Sequence, residues 1–158
     1  MSLPENDYQI LRLSDAFYQD YPNSSYKEIK KQKRAYNCLL FQTHYNYFIC
    51  IPYRTEITHD NAYHFKNTKR SKEHKSGLDY SKILIISNSQ YLDDSPVFVD
   101  NDEYRETLLH FEKIKRDALK YVEDYIGHLN KSKELHPSEF RRRYQFSCLK
   151  YFHKELHI

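Results

Sequence analysis

A chain of 158 residues, 39% hydrophobic and 30% charged, is sized for one domain over 1–158 around a single core and leaves no room for a second. Its formal charge of +3 is too small to mark a polyanion binder by itself, and no apolar run is long enough to cross a bilayer. Three cysteines without a Cys-x-x-Cys, and a start that lacks a basic segment and apolar stretch, lead us to expect a reduced, cytoplasmic protein with no membrane partner.

Sixteen tyrosines and nine phenylalanines stand against two glycines and no tryptophan. Such a set supplies apolar area with many hydroxyl handles, as core residues or as platforms on which bases stack. In chain order, residues 8–13 alternate as an opening strand, and Ser14 is placed to cap a short helix from Asp15 to about Tyr21, closed by Pro22. Residues 23–33 are polar, basic and aperiodic, which predicts a loop. Residues 37–42 and 47–51 are apolar runs separated by Thr43-His44-Tyr45-Asn46, the length of a hairpin loop. Pro52 is expected to end the second strand because it cannot donate a ladder hydrogen bond. Arg54, Thr55 and His59 then leave that strand end in quick succession, before a short extended segment, 62–66, in which Tyr63 and Phe65 alternate with His64 and Lys66. An antiparallel hairpin would bring Arg34, at its outer start, close to Arg54 and Thr55.

Residues 67–77 predict an exposed mobile loop, 83–86 a central strand apolar on both faces, and 97–99 a shorter strand, making about six in all. A long helix is predicted from Asn101, with Tyr104, Leu108, Phe111, Ala118, Val122 and Tyr125 on one stripe and Gly127 as its stop. A last helix has Pro137 in its first turn, with Phe140, Tyr144, Cys148, Tyr151 and Phe152 on one face and Arg141 and Arg142 opposite. The fold class expected is α+β: a compact, twisted antiparallel sheet or half-barrel with flanking helices.

Charge is unevenly spread. Residues 27–34 and 66–75 are basic, including Lys31, Lys33, Arg34, Lys66, Lys69 and Arg70, whereas 93–106 is acidic. The basic segments flank the central strand, as on a polyanion-binding face, although solvated loops have the same composition. The acidic stretch suits the positive end of the helix that begins at Asn101. No metal-ligand spacing, acyl-transfer motif or glycine-rich phosphate loop is present. RNA cleavage needs none of these, because the substrate carries its own nucleophile, the 2′-hydroxyl. The protein has only to align it, move a proton and neutralise charge on the phosphorane.

Three blocks carry a resemblance: Lys33-Arg34-Ala35-Tyr36, the segment 48–59 (Phe-Ile-Cys-Ile-Pro-Tyr-Arg-Thr-Glu-Ile-Thr-His), and 77–86 (Gly-Leu-Asp-Tyr-Ser-Lys-Ile-Leu-Ile-Ile). They resemble the endoribonuclease toxins of type III toxin–antitoxin systems, the ToxN, TenpN and CptN groups, with CptN closest. That resemblance implies a sheet of the MazF/Kid toxin kind and cleavage without metal or other cofactor to a 2′,3′-cyclic phosphate. It also implies cellular RNA as substrate, a small repeat-encoded antitoxin RNA of pseudoknot units as partner, and a higher-order protein–RNA assembly. Carried over residue by residue, it marks Arg34, Thr55, His59 and Lys66 as catalytic, with Thr55 where the pattern commonly has serine. In these roles Arg34 and Lys66 stabilise charge, Thr55 hydrogen-bonds the scissile phosphate, and His59 carries the proton. Lys31, Lys33, Tyr53, Arg54, Tyr63, Lys69, Arg70, Lys82, Arg141 and Arg142 are the expected RNA contacts. The rival readings are a noncatalytic nucleic-acid-binding module and a protein-interaction domain whose working surface is the acidic segment.

Overall fold

The computed structural model describes residues 8–29 and 37–158; Lys31, Lys33 and Arg34, with the expected approach of Arg34 to the strand end, lie outside them. The architecture is α+β with a seven-stranded sheet in which every pairing is antiparallel. In chain order it comprises β1 (Tyr8–Leu13), α1 (Asp15–Asp20), β2 (Cys38–Gln42), β3 (Phe48–Arg54), β4 (Ala62–His64), α2 (Lys69–His74), β5 (Gly77–Asp79), β6 (Leu84–Ile86), β7 (Leu92–Asp93), α3 (Asn101–Leu109), α4 (Phe111–Leu129), α5 (Pro137–Tyr144) and α6 (His153–Leu156). The sheet order is β4-β5-β3-β2-β1-β7, with β6 also paired to β3.

The β2–β3 hairpin forms as expected, and its loop turns through Asn46 at φ 51°, a conformation asparagine tolerates better than most side chains. Pro52 does not end β3. Cys38 faces Pro52, and the next amide, that of Tyr53, donates to Asn37 on the β2 side. Alternation therefore turns the Pro52 nitrogen to the other edge, between the end of β6 pairing at Cys50 and the start of β5 pairing at Tyr53. No ladder donor is needed there, so β3 runs on to Arg54.

Five other expectations are corrected. Ser14 flanks α1 but makes no cap bond; its hydroxyl donates to the Gln90 carbonyl. Residues 67–77 hold α2, because Thr68 accepts from the Ser71 amide while the Ser71 hydroxyl reciprocates to the Thr68 backbone region. Residues 97–99 form no strand and Phe98 is exposed; the seventh strand is β7, which pairs with β1. The long helix is broken at His110, and its second part passes Gly127 to end at Leu129. Finally, α5 stops at Tyr144, and Cys148 and Tyr151 lie in a separate 3-10 turn, so the last apolar stripe is shared between two elements.

Register shows how the core is made. Leu39, Phe41, Ile49, Ile51 and Tyr53 share one face, where Phe41 meets the ring of Phe111 and the Tyr53 hydroxyl pairs with that of Thr107. Cys38, Leu40 and Cys50 are buried on the other face. On α4, Phe111, Ile114, Ala118, Val122 and Tyr125 are buried as its period predicts, with Phe111 meeting Phe41 of the first face and Tyr125 packed among Phe140, Tyr144 and His153. No helix among the described residues is long and apolar enough to cross a membrane.

Candidate active site

Arg54, Gly77 and His64 lie in one row across β3, β5 and β4, because Arg54 pairs with Gly77 and Gly77 pairs with His64. Asp79 follows Gly77 by two residues, so it belongs to the same face. Tyr53, Leu78 and Tyr63 form the neighbouring row on the opposite, core-facing side. Only glycine suits position 77, since a Cβ there would stand 2.2 Å from the Tyr63 carbonyl oxygen. The site face thus has a guanidinium and an imidazole flanking a position without a side chain.

Asp79 organises this face. Its carboxylate is fully buried and accepts from Arg54 Nη1 at 2.6 Å, Ser81 Oγ at 2.6 Å and the Ser81 amide at 3.0 Å, with His59 Nε2 at 3.3 Å. Burial alone would raise its pKa; hydrogen bonds from His59 and Ser81 and the charge of Arg54 prevail and hold it below the usual carboxylate range. Arg54 is 28% exposed, and its Nε is buried without a hydrogen-bond partner. The guanidinium is therefore anchored at one nitrogen and retains unused donors.

The β3–β4 connection is fixed from both ends. Glu56, at φ 57°, donates its amide to His74, Ile57 donates to Lys75, and the Asn61 carbonyl accepts from Tyr80. Thr55 is thereby held half-buried between two paired residues, and its hydroxyl has no partner among the described residues. His59 is 38% exposed, but both its ring nitrogens are engaged: Nδ1 accepts from the Asn61 amide at 3.1 Å, so the ring proton is on Nε2, facing Asp79. Both ring nitrogens of His59 are thus used within the protein. His64 donates Nε2 to the His59 carbonyl at 2.8 Å.

The other predicted contacts divide. Lys66 is exposed while its backbone amide is tied to Glu106, and Lys69 is exposed with its amide on Asp102. Arg70 is committed to the buried Glu103, which raises its pKa further. Lys82 is committed to Glu28 at 2.7 Å and to the Phe146 carbonyl. Arg141 and Arg142 are exposed on α5, which reaches the site through the Asn61 amide group near the Arg143 carbonyl. Tyr53 and Tyr63 are buried, their hydroxyls on Thr107 and Glu106, which corrects their expected role as stacking platforms. An exposed aromatic beside this region is Phe146, 60% exposed.

Asp79, Ser81, Asn61, His64 and Phe146 were missed by sequence reasoning as site residues. The sequence signal for Asp79 and Ser81 is the Gly-Leu-Asp-Tyr-Ser-Lys block, whose Asp-x-Ser turn is a local capping pattern as much as a functional one; Asn61, His64 and Phe146 lie outside it. Among the described residues no group of three or more histidines, cysteines or carboxylates is placed to hold a metal ion. Comparisons with protein-family models, with curated proteins and with solved structures gave no match.

Proposed function

We propose that this chain is an endoribonuclease toxin of the type III toxin–antitoxin kind, which cuts RNA by attack of the substrate's 2′-hydroxyl and is held inactive by a small repeat-encoded RNA. The observation that carries the reading is the partly exposed face of β3, β5 and β4, where Arg54 and His59 meet the buried Asp79, His64 bonds the His59 carbonyl, and the Thr55 hydroxyl has no partner among the described residues. Those groups suit a phosphodiester that supplies its own nucleophile. The exposed cations Lys66, Lys69, Arg141 and Arg142 would extend the phosphate contacts beyond this face, and Phe146, in place of Tyr53 and Tyr63, would stack an unpaired base. A MazF/Kid-like half-barrel is the finer fold reading, supported by β3 having partners along both edges.

Purified protein incubated with total RNA is expected to cut it equally well with and without EDTA and to leave cyclic phosphate ends. Cutting lost in EDTA and restored by magnesium overturns the metal-free chemistry; binding without cutting favours a noncatalytic nucleic-acid module. A small RNA is expected to co-purify from the native host, and neutralisation by a protein contradicts the antitoxin assignment.

Thr55→Ala and Arg34→Ala are each expected to lower cleavage by about 100-fold, the scale seen when one charge-stabilising donor is removed. Thr55 lies outside the apolar core, so its variant should keep the wild-type unfolding midpoint. Full toxicity of both variants at equal expression shows that the site is elsewhere.

A further inference from the structure

We propose that His64, not His59, is the imidazole that takes the 2′-hydroxyl proton, an assignment that rests on the nuclease reading above. The geometry is specific about which ring is available. A carbonyl oxygen carries no proton, so the His64 Nε2 facing the His59 carbonyl at 2.8 Å is the protonated nitrogen. The Nδ1 of neutral His64 then bears a lone pair, with no partner among the described residues. In His59 both nitrogens are used, by Asp79 and by the Asn61 amide. His59 is a positioning residue, since its carbonyl sets the tautomer of His64 and its ring is steadied by Asp79.

His64 is half-buried and shares its sheet face with Arg54, across Gly77. A phosphate touched by both side chains would lie between the guanidinium and the imidazole, above the strand pairing and not in the filled space at Gly77 itself. In the step, the 2′-oxygen forms its bond to phosphorus as its proton passes to His64 Nδ1. The P–O5′ bond breaks with its electron pair on O5′, which takes a proton from water. The resulting imidazolium returns its proton to solvent, and the products are a 2′,3′-cyclic phosphate and a 5′-hydroxyl.

Among the described residues, these ionisable groups surround His64. Arg54 comes from β3, Asp79 from β5 and His59 from the connection, while Lys66 follows two residues on. In the 3-10 turn of residues 80–82, Lys82 is neutralised by Glu28. On the opposite face of β4, Glu106 is held by the Tyr63 hydroxyl and backbone amides.

The test is kcat/KM on a short oligoribonucleotide from about pH 5 to 8, for wild type, His64→Gln and His59→Gln. Glutamine at 64 keeps a donor for the His59 carbonyl and removes the basic nitrogen. Wild type is expected to gain activity as pH rises, because the base must be unprotonated to accept the proton. His64→Gln should lose at least about 100-fold and the pH limb with it. His59→Gln should lose activity but retain the limb. In His64→Ala, added imidazole should restore part of the rate. A limb that persists in His64→Gln, or vanishes only in His59→Gln, overturns the assignment. A wild-type protein that binds the oligonucleotide and leaves it intact removes the nuclease reading itself, which separates the two failures.

Discussion

Asp79→Asn is expected to remove most RNA cleavage and, together with it, the acid sensitivity that this carboxylate gives the fold. In the native state the Asp79 pKa lies below its ordinary value: burial opposes ionisation, but hydrogen bonds from His59 and Ser81 and the charge of Arg54 outweigh it. A carboxyl with a depressed native pKa stabilises the fold above its unfolded value, about 3.9, and that stability disappears as pH falls through the native value. Wild type should therefore weaken below about pH 4 by a contribution that the uncharged variant lacks. At neutral pH the variant should be the weaker protein, because Arg54 loses its counter-charge and an amide N–H can face the Ser81 or Arg54 donors. Breaking a fully buried pair costs about 3–5 kcal/mol; with Arg54 28% exposed, roughly 2 kcal/mol is expected here. Urea midpoints of both proteins at pH 7 and below pH 4 check the sign. A difference that does not narrow on acidification shows that Asp79 is not the titrating group. Cleavage should fall further than stability, since Asp79 holds Arg54 and His59 together on the site face.

Much of the sheet was legible because it rests on local apolar runs. The hairpin of β2 and β3 has buried residues on both faces, so it stands out as continuous hydrophobic sequence. Pro52 misled because whether its missing donor matters depends on which strand lies on that edge, a tertiary fact. The helix begun at Asn101 misled for an electrostatic reason. Its periodicity points Tyr104 and Leu108 inward, yet both are exposed, while Glu103, Glu106 and Thr107 are buried. No apolar pattern announces carboxylates that enter a core because Arg70, two backbone amides and a tyrosine hydroxyl await them. The site was half legible for similar reasons. Arg54, Thr55 and His59 cluster in sequence, whereas Asp79 and His64 reach them only through the pairing of β5 with β3 and β4.

Glu106→Ala is expected to be among the most destabilising single changes on α3, and to act on the site from behind. One carboxylate accepts from the Tyr63 hydroxyl at 2.7 Å, from the Lys66 amide at 3.0 and 3.1 Å, and from the Asn67 amide at 3.1 Å. Burial, then the bond to Glu106, raises the Tyr63 pKa, so that hydroxyl remains a donor across the neutral range. Alanine leaves three donors without an acceptor. At about 1–3 kcal/mol for each buried group left unpaired, and allowing for water reaching some of them, a loss of roughly 3–5 kcal/mol is expected. Glutamine preserves the shape and one carbonyl oxygen but turns an N–H toward a donor, so Glu106→Gln should fall between wild type and alanine. Glu112→Ala, at an exposed position on α4, is the control and should stay within about 0.5 kcal/mol. The loss should also be local before it is global. Lys66 and Asn67 are fastened to α3 by their amides, so hydrogen exchange there should accelerate in Glu106→Ala under conditions where the β2–β3 amides remain protected. Since Lys66 is one of the exposed cations beside the proposed site, RNA cleavage should decline at temperatures where the variant is still folded. If unfolding midpoint and exchange at 66–67 both match wild type, the buried carboxylate does not fasten this segment, and Lys66 owes its position to something else.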